Sequence, residues 1–385
     1  MTNHTPAEVF PPGEILREEL EARGWSQLDF AEIIGKSPRL ISEVISGKRA
    51  ITPETAHALA EALGTSADFW MKLESAYRLS RVERSGADKA ISRRAQLYTY
   101  PIRDMVRRGW LSESSNIEVL EHQLSTFFRA KTISDLPHFE YAAKKTDYSS
   151  LSPSQYSWLF RVKQLAEVLK VPSYSEKVLR DRTNHLRSLL HEPDEIKHVP
   201  RILAEAGVRY LIVEGLPGSK IDGVCFWLNK SAPVIAMSIR YDRIDNYWFV
   251  LRHEIEHVMR KHGMSHEIID IELEGDRALA SGDIPEEEKV ANAEAANFCV
   301  PDDEMADFIA RVGPYYSTDG VVNFAKRIGV HPGLVVGQLH GRKELHFSYL
   351  RKFLVRILEY IIPTAFVDGW GVIPQLALPG DRRSR

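Results

Sequence analysis

Along the first 80 residues, apolar positions recur at helical spacing and are broken into short pieces by start and stop signals. Residues 14–23 (EILREELEAR) place Ile15, Leu16 and Leu20 in a helical pattern that Gly24 ends. Ser26, with Asp29 three residues on, forms a capping-box-like start for QLDFAEIIG, which stops at Gly35. Ser37-Pro38 is a fresh start, an N-cap followed by proline at the first helical position, and RLISEVISG then runs to Gly47. Thr52-Pro53-Glu54 opens ETAHALAEALG in the same way, and Ser66 caps ADFWMKLESAYRLSRV. The pattern predicts five short helices.

Residues 85–200 carry further helical patterns separated by clusters such as LSPSQYS and VPSYSEK. The character changes over 208–239, where VRYLIVEGL, GVCFWLN and APVIAMSI are short, β-branched and aromatic-rich, with LPGSK and NKS between them. They predict strands of one small sheet. A helix is predicted from about Asn246 to Arg260, then an acidic stretch (267–288), another helix (286–299) ending before Pro301, and a helical C-terminal part with a loose tail from Pro374. The expected fold is mainly α with a small β-sheet (α+β). Its expected parts are a five-helix domain (1–82), a helical middle region (83–200), a sheet-containing domain with C-terminal helices (201–373) and a tail (374–385).

Composition narrows this. A formal charge of -3 over 385 residues excludes a globally basic nucleic-acid coat but leaves room for a local basic patch. Cys225 and Cys299 lie far apart, outside any metal-type spacing, and read as small buried residues of a protein in a reducing compartment. The first 25 residues lack the apolar run of a signal peptide, and no stretch reaches the ~18–20 apolar residues a membrane span needs. A cytoplasmic location, with no membrane partner, is expected.

Two places carry candidate chemistry. The first is the pair of short helices around Gly35. A short helix, a tight turn and a second helix of about nine residues is the plan of a helix-turn-helix, whose second helix enters the major groove. From Ile33 to Pro53 the bases are Lys36, Arg39, Lys48 and Arg49, against the single acid Glu43. Gln27 stands at the start of the bracing helix. Ser37, Arg39, Ser42 and Glu43 are expected on the exposed side of the next, with Lys48 and Arg49 after it. Arg39 is the best candidate for a base contact, because its fork matches two acceptors of guanine. A second basic stretch, 89–108, reads first as a solvated helix face, with an extension of the DNA footprint or a partner contact as the alternatives.

The second place is RHEIEHVMRKH (252–262). On a helix, His253 and His257 stand one turn apart on one face and can hold one metal ion. Glu254 beside them can take a proton from a water polarised by that metal. His262 and His266, further on, read as loop histidines.

Both regions resemble known families. Residues 10–82, through FPPGEILREELEARGWSQLDFAEIIGKSP, SGKRAITPETAHALAEALGTSADFW and KLESAYRL, resemble the HigA-type antitoxin branch of XRE-family repressors. That resemblance implies a homodimer on palindromic operator DNA and, in many members, a cognate toxin partner. GVRYLIVEGLPGSKIDGVCFWLNKSAPVIAMSIRYDRIDNYWFVLRHEIEHV, with ISRRAQLYTYPIRDMVRRGW and FAKRIGVHPGLVVGQLHGR, resembles the ImmA/IrrE-type metallopeptidase domain fused behind such a repressor. It implies a zincin-like domain with zinc on two histidines and a downstream glutamate, and the HExxH glutamate (Glu254) as general base. Setting Pro301 of EEEKVANAEAANFCVP on the family's proline puts the third ligand position on Val290, which cannot bind zinc. Glu294, one turn later, is then the most plausible substitute, ahead of Glu286 and Glu287. The expected function is therefore an antitoxin-like, DNA-binding transcriptional regulator with an impaired metallopeptidase-like domain used in sensing or partner binding. The alternative is an active zinc endopeptidase that cleaves a repressor or toxin partner.

Overall fold

The computed structural model describes residues 10–81, 86–132, 135, 151–264, 268–271 and 285–374. The chain forms two compact units, 1–93 and 94–385.

The first unit contains the five expected helices: α1 (Pro12–Arg23), α2 (Gln27–Ile33), α3 (Pro38–Ile45), α4 (Pro53–Leu63) and α5 (Ala67–Arg81). Their ends follow the chemistry of the chain. The Ser26 hydroxyl accepts from the Asp29 amide while Asp29 accepts from the Ser26 amide, a closed capping box. Ser37 caps α3 by accepting from the Leu40 amide at 3.2 Å, and Thr52 caps α4. Leu16, Leu20, Phe30, Ile41, Leu59 and Trp70 form the buried core. α1 meets the end of α3 at Gly13, where a Cβ would lie 2.4 Å from the Val44 carbonyl oxygen. Only glycine permits that approach. Glu74, on α5, is buried and accepts from the Ile51 amide at 3.2 Å and from Arg78 at 2.6 Å, which ties the loop before α4 to α5.

The second unit is built on a five-stranded sheet of order β4-β2-β3-β1-β5. The strands are β1 (Arg209–Val213), β2 (Ile221–Trp227), β3 (Pro233–Met237), β4 (Ile268–Ile271) and β5 (Phe366–Asp368). β1 runs parallel to β3 and β5, and β2 runs antiparallel to β3 and β4. The three strands expected over 208–239 are present. β4 arises from the acidic stretch and β5 from a segment expected to be helical. Three residues are too few to display a period of two, and only pairing with β1 reveals β5.

Side chains alternate across the sheet as the pleat requires. Tyr210, Ile212, Cys225, Ile235 and Met237 face one core with the helix Ile244–Met259. Leu211, Val213, Val224, Phe226, Val234 and Ala236 face another, made with Leu124, Phe127, Trp158 and Val162. The expected boundary near residue 200 therefore has no counterpart: helices of the middle region cover one face of the sheet. Polar locks reinforce this. Arg161 pairs with Asp368, both buried. The Trp110 indole donates to the same carboxylate at 3.3 Å. Arg108 pairs with Glu214 at 2.9 Å and donates to the Glu214 and Gly215 carbonyls. Arg108 was expected on a solvated face; its side chain is only 10% exposed. No helix among the described residues is long and apolar enough to cross a membrane.

A buried ion pair losing one partner leaves an uncompensated charge. Asp368→Ala should destabilise the second unit by about 3–5 kcal/mol, whereas Arg161→Met with Asp368→Leu should recover most of it. Urea denaturation followed by tryptophan fluorescence checks this; an Asp368→Ala protein as stable as wild type would show that the pair is not a lock.

Candidate functional site

In the first unit, Gln27, Ser37, Arg39, Ser42, Lys48 and Arg49 are all exposed, on or beside α2 and α3, and Glu43 is half-buried. The Arg39 side chain is 87% exposed, and its Nε donates to Glu43 at 2.8 Å. Arg49 reaches the other Glu43 oxygen at 3.4 Å. The Glu43 hydrogen bond and charge raise the Arg39 pKa, and the two arginines hold the Glu43 carboxyl below its usual range, with Arg39 contributing most. Glu43 thus serves as a bracket between two cations. Ser37 spends its hydroxyl lone pair on the cap. The Arg39–Glu43–Arg49 bracket was not anticipated, although Arg39 and Glu43 stand at i and i+4.

In the second unit, all residues of the helix Ile244–Met259 except Phe249 and Met259 are buried. Tyr247, Trp248, Leu251, Ile255 and Val258 hold it in the core, so its polar side chains are enclosed too. His253 and His257 are 0% exposed, with their Nε2 atoms 2.9 Å apart. Glu288, in the first turn of the next helix (Glu286–Cys299), completes the cluster. Its Oε2 is 3.2 Å from His253 Nε2 and its Oε1 is 3.5 Å from His257 Nε2. One donor atom from each of the three lies within 4.8 Å of the others. Burial opposes ionisation of Glu288, but the hydrogen bonds and charge of the two imidazoles overcome it and hold the carboxyl well below the usual carboxylate range.

The outer side of the cluster is also built. His257 Nδ1 faces His262 Nδ1 at 3.0 Å, and Glu287 lies 3.8 Å from that same His262 nitrogen. The Trp227 indole donates to the His262 carbonyl at 3.0 Å, anchoring the turn to β2. Burial lowers the His262 pKa from its ordinary value of 6.5. Such contacts behind an imidazole fix its ring orientation. Glu254 is fully buried and lies against β2 at Gly223, where a Cβ would come within 2.0 Å of Oε1. Gly223 therefore makes the room for this carboxylate.

Glu294, expected beside the histidines, lies elsewhere: it is 3.4 Å from Arg252, which also pairs with Glu256 at 2.8 Å. The carboxylate that meets His253 and His257 is Glu288. The buried face of this helix carries Ala291, Ala295 and Phe298, which follow Glu288 at i+3, i+7 and i+10. Val290 lies about 200° around the helix from Glu288. The helix's own apolar face, unlike a register set on Pro301, points to Glu288. His266 lies outside the described residues. Two imidazole nitrogens and a carboxylate, within reach of one another, could hold a metal ion.

Comparison with known proteins places the first unit. The helix-turn-helix family model matches residues 16–70. The uncharacterized HTH-type transcriptional regulator YddM of Escherichia coli K12 is 34% identical over 74 residues, 19% of this chain and 79% of that protein. Virulence-associated protein I of Dichelobacter nodosus is 39% identical over 82 residues, 21% of this chain and 74% of its own. Among solved structures, a HigA-family addiction module antidote protein of Coxiella burnetii shares 30% identity, covering 22% of this chain and 94% of its own, with a TM-score of 0.21. The Pseudomonas aeruginosa antitoxin HigA, solved with the higBA promoter, shares 29% identity, covering 25% of this chain and 99% of its own, with a TM-score of 0.20.

The position of the third carboxylate is open to a direct test. Glu288→Gln should weaken zinc binding by about 100-fold or more, while Glu294→Gln should leave it within a few-fold, measured by competition with a chromogenic chelator. The reverse order would return the ligand role to Glu294.

Proposed function

We propose, from the premise that this chain belongs through its N-terminal unit to the helix-turn-helix family of transcriptional regulators, that it is an operator-binding regulator whose second unit is a zinc-dependent peptidase. The observation that carries the second half is Glu288 set against both histidines of HEIEH. The expectation of an impaired zinc site rested on Val290, and Glu288 supplies the carboxylate that Val290 lacks.

On DNA, α3 is the reading helix. Arg39, held at Nε by Glu43, presents its terminal nitrogens outward, as two acceptors of guanine require. Lys48 and Arg49, just beyond α3, suit phosphates. Two-fold operators call for a homodimer with one reading helix per half-site. The resemblance of residues 10–82 to HigA-type antitoxins adds a cognate toxin as a partner class. Arg39→Ala should relax specificity at one operator position by about 1–3 kcal/mol, read by binding to a set of single-base operator variants. Equal losses across the whole set would make Arg39 a phosphate contact.

In the second unit, His253, His257 and Glu288 would hold the metal. Zinc there would supply a Lewis acid for a peptide carbonyl and make water nucleophilic near neutral pH. Glu254, enclosed beside His253 and away from bulk solvent, accepts the proton of the attacking water and returns it to the departing amine. Glu254→Gln should retain about one zinc per chain by elemental analysis yet lose about 10²–10⁴-fold in cleavage of a bound protein partner, with His253→Ala as the metal-free control. Cleavage undiminished in Glu254→Gln would remove this carboxylate from the chemistry.

A further inference from the structure

At the carboxyl ends of the three parallel strands, the sheet opens on a cavity of about 290 Å³. Its walls are the residues that follow β1 (Glu214 and Gly215), those that follow β3 (Ser238, Ile239 and Arg240), Trp370 after β5, and the turn that leads into β2 through Ser219 and Lys220. The carboxyl ends of parallel strands are where open sheets with helices on both faces receive ligands. The volume is that of a small metabolite, at the lower end of ordinary ligand sites.

Two further observations point the same way. The first is backbone strain. Lys220, Ile239 and Trp370 all lie in the left-handed region, at φ 54°, 51° and 47°. For a β-branched residue such as Ile239 this is a conformational outlier, and such outliers gather at binding sites because the site, not the local sequence, dictates the backbone. Three of them border one cavity. The second is charge. Glu214 is the acid of this lining, and it is already engaged by Arg108 at 2.9 Å and by the Trp370 amide at 2.7 Å. Arg240 and Lys220 are the two cations of the same lining. The Arg240 side chain is only 25% exposed; it donates to the Lys220 carbonyl at 3.4 Å and lies 3.9 Å from Asp222. Ser219, buried, adds a hydroxyl, the Ser238 O–H is spent on the Ile221 carbonyl at 2.5 Å, and Trp370 and Ile239 add apolar surface.

We propose that this cavity is a binding site for a small organic anion: a phosphate or carboxylate held by Lys220 and Arg240, on a body that packs against Trp370. It is separate from the His253, His257 and Glu288 cluster. The two are joined by β2, which begins at the cavity and three residues after Lys220 reaches Gly223, the residue against Glu254. The strand pairing is irregular between Ile221 and Gly223, an irregularity of the kind that re-aims side chains beside functional sites.

The test uses phenyl phosphate, which carries both an anionic head and a ring, titrated into the full chain and followed by the NMR indole signals, with Trp370→Phe assigning the reporter. Saturable binding that moves the Trp370 signal is expected, with phenol moving nothing. Lys220→Asn, chosen because asparagine accepts a left-handed backbone, and Arg240→Gln should each weaken binding by about tenfold, and Arg240→Lys should lose less. A still Trp370 signal at millimolar phenyl phosphate would overturn the proposal. So would unchanged affinity in Lys220→Asn and Arg240→Gln, which would place the anion elsewhere on the chain.

Discussion

The second unit depends on one constraint: a helix buried on nearly every side carries Asp245, Arg252, His253, Glu254, Glu256 and His257 into the interior. Enclosed ionisable groups must be compensated or neutralised. Each neighbour of the helix answers that demand. Arg243 pairs with Asp245 at its start. Arg252 and Arg260 converge on Glu256, whose carboxyl they hold below its usual range against the opposing effect of burial. Glu288 meets the two histidines from the next helix. Gly223 yields space to Glu254. The helix is polar inside the core for a reason other than stability, since apolar residues of equal volume would pack there without such support.

The first unit reaches its task by a different route. Apart from the buried Glu74, its charged residues stay at least partly exposed, and the core sets angles: Gly13 lets α1 close on the end of α3, and capped ends fix where α2 and α3 begin. Glu43, its side chain 26% exposed, brackets the two exposed arginines Arg39 and Arg49.

Much of this was legible in the chain. Ser26 with Asp29, Ser37 before Pro38 and Thr52 before Pro53 announced helix starts because capping is local chemistry. HEIEH, set in an apolar helix after three strands, announced a buried pair of histidines. The misses share a cause: each depends on a partner distant in sequence. β5 exists because β1 offers it an edge, and the middle helices belong to the sheet because its second face needs cover. Glu288 is hidden by a register set on Pro301, whereas the spacing through the buried Ala291 and Ala295 points to it.

The pairing of β5 with β1 has a consequence in time. Val213 meets Asp368 across more than 150 intervening residues. Contacts of that separation form late, after the chain between them has been made and ordered. On a ribosome, the first unit is complete and free to fold while most of the second is still unmade. The sheet gains its β5 edge, and Arg161 its counter-charge at Asp368, only once the chain has been made through residue 368. Every newly made molecule therefore passes through an interval in which the DNA-reading helices exist and the finished sheet behind the histidine cluster does not.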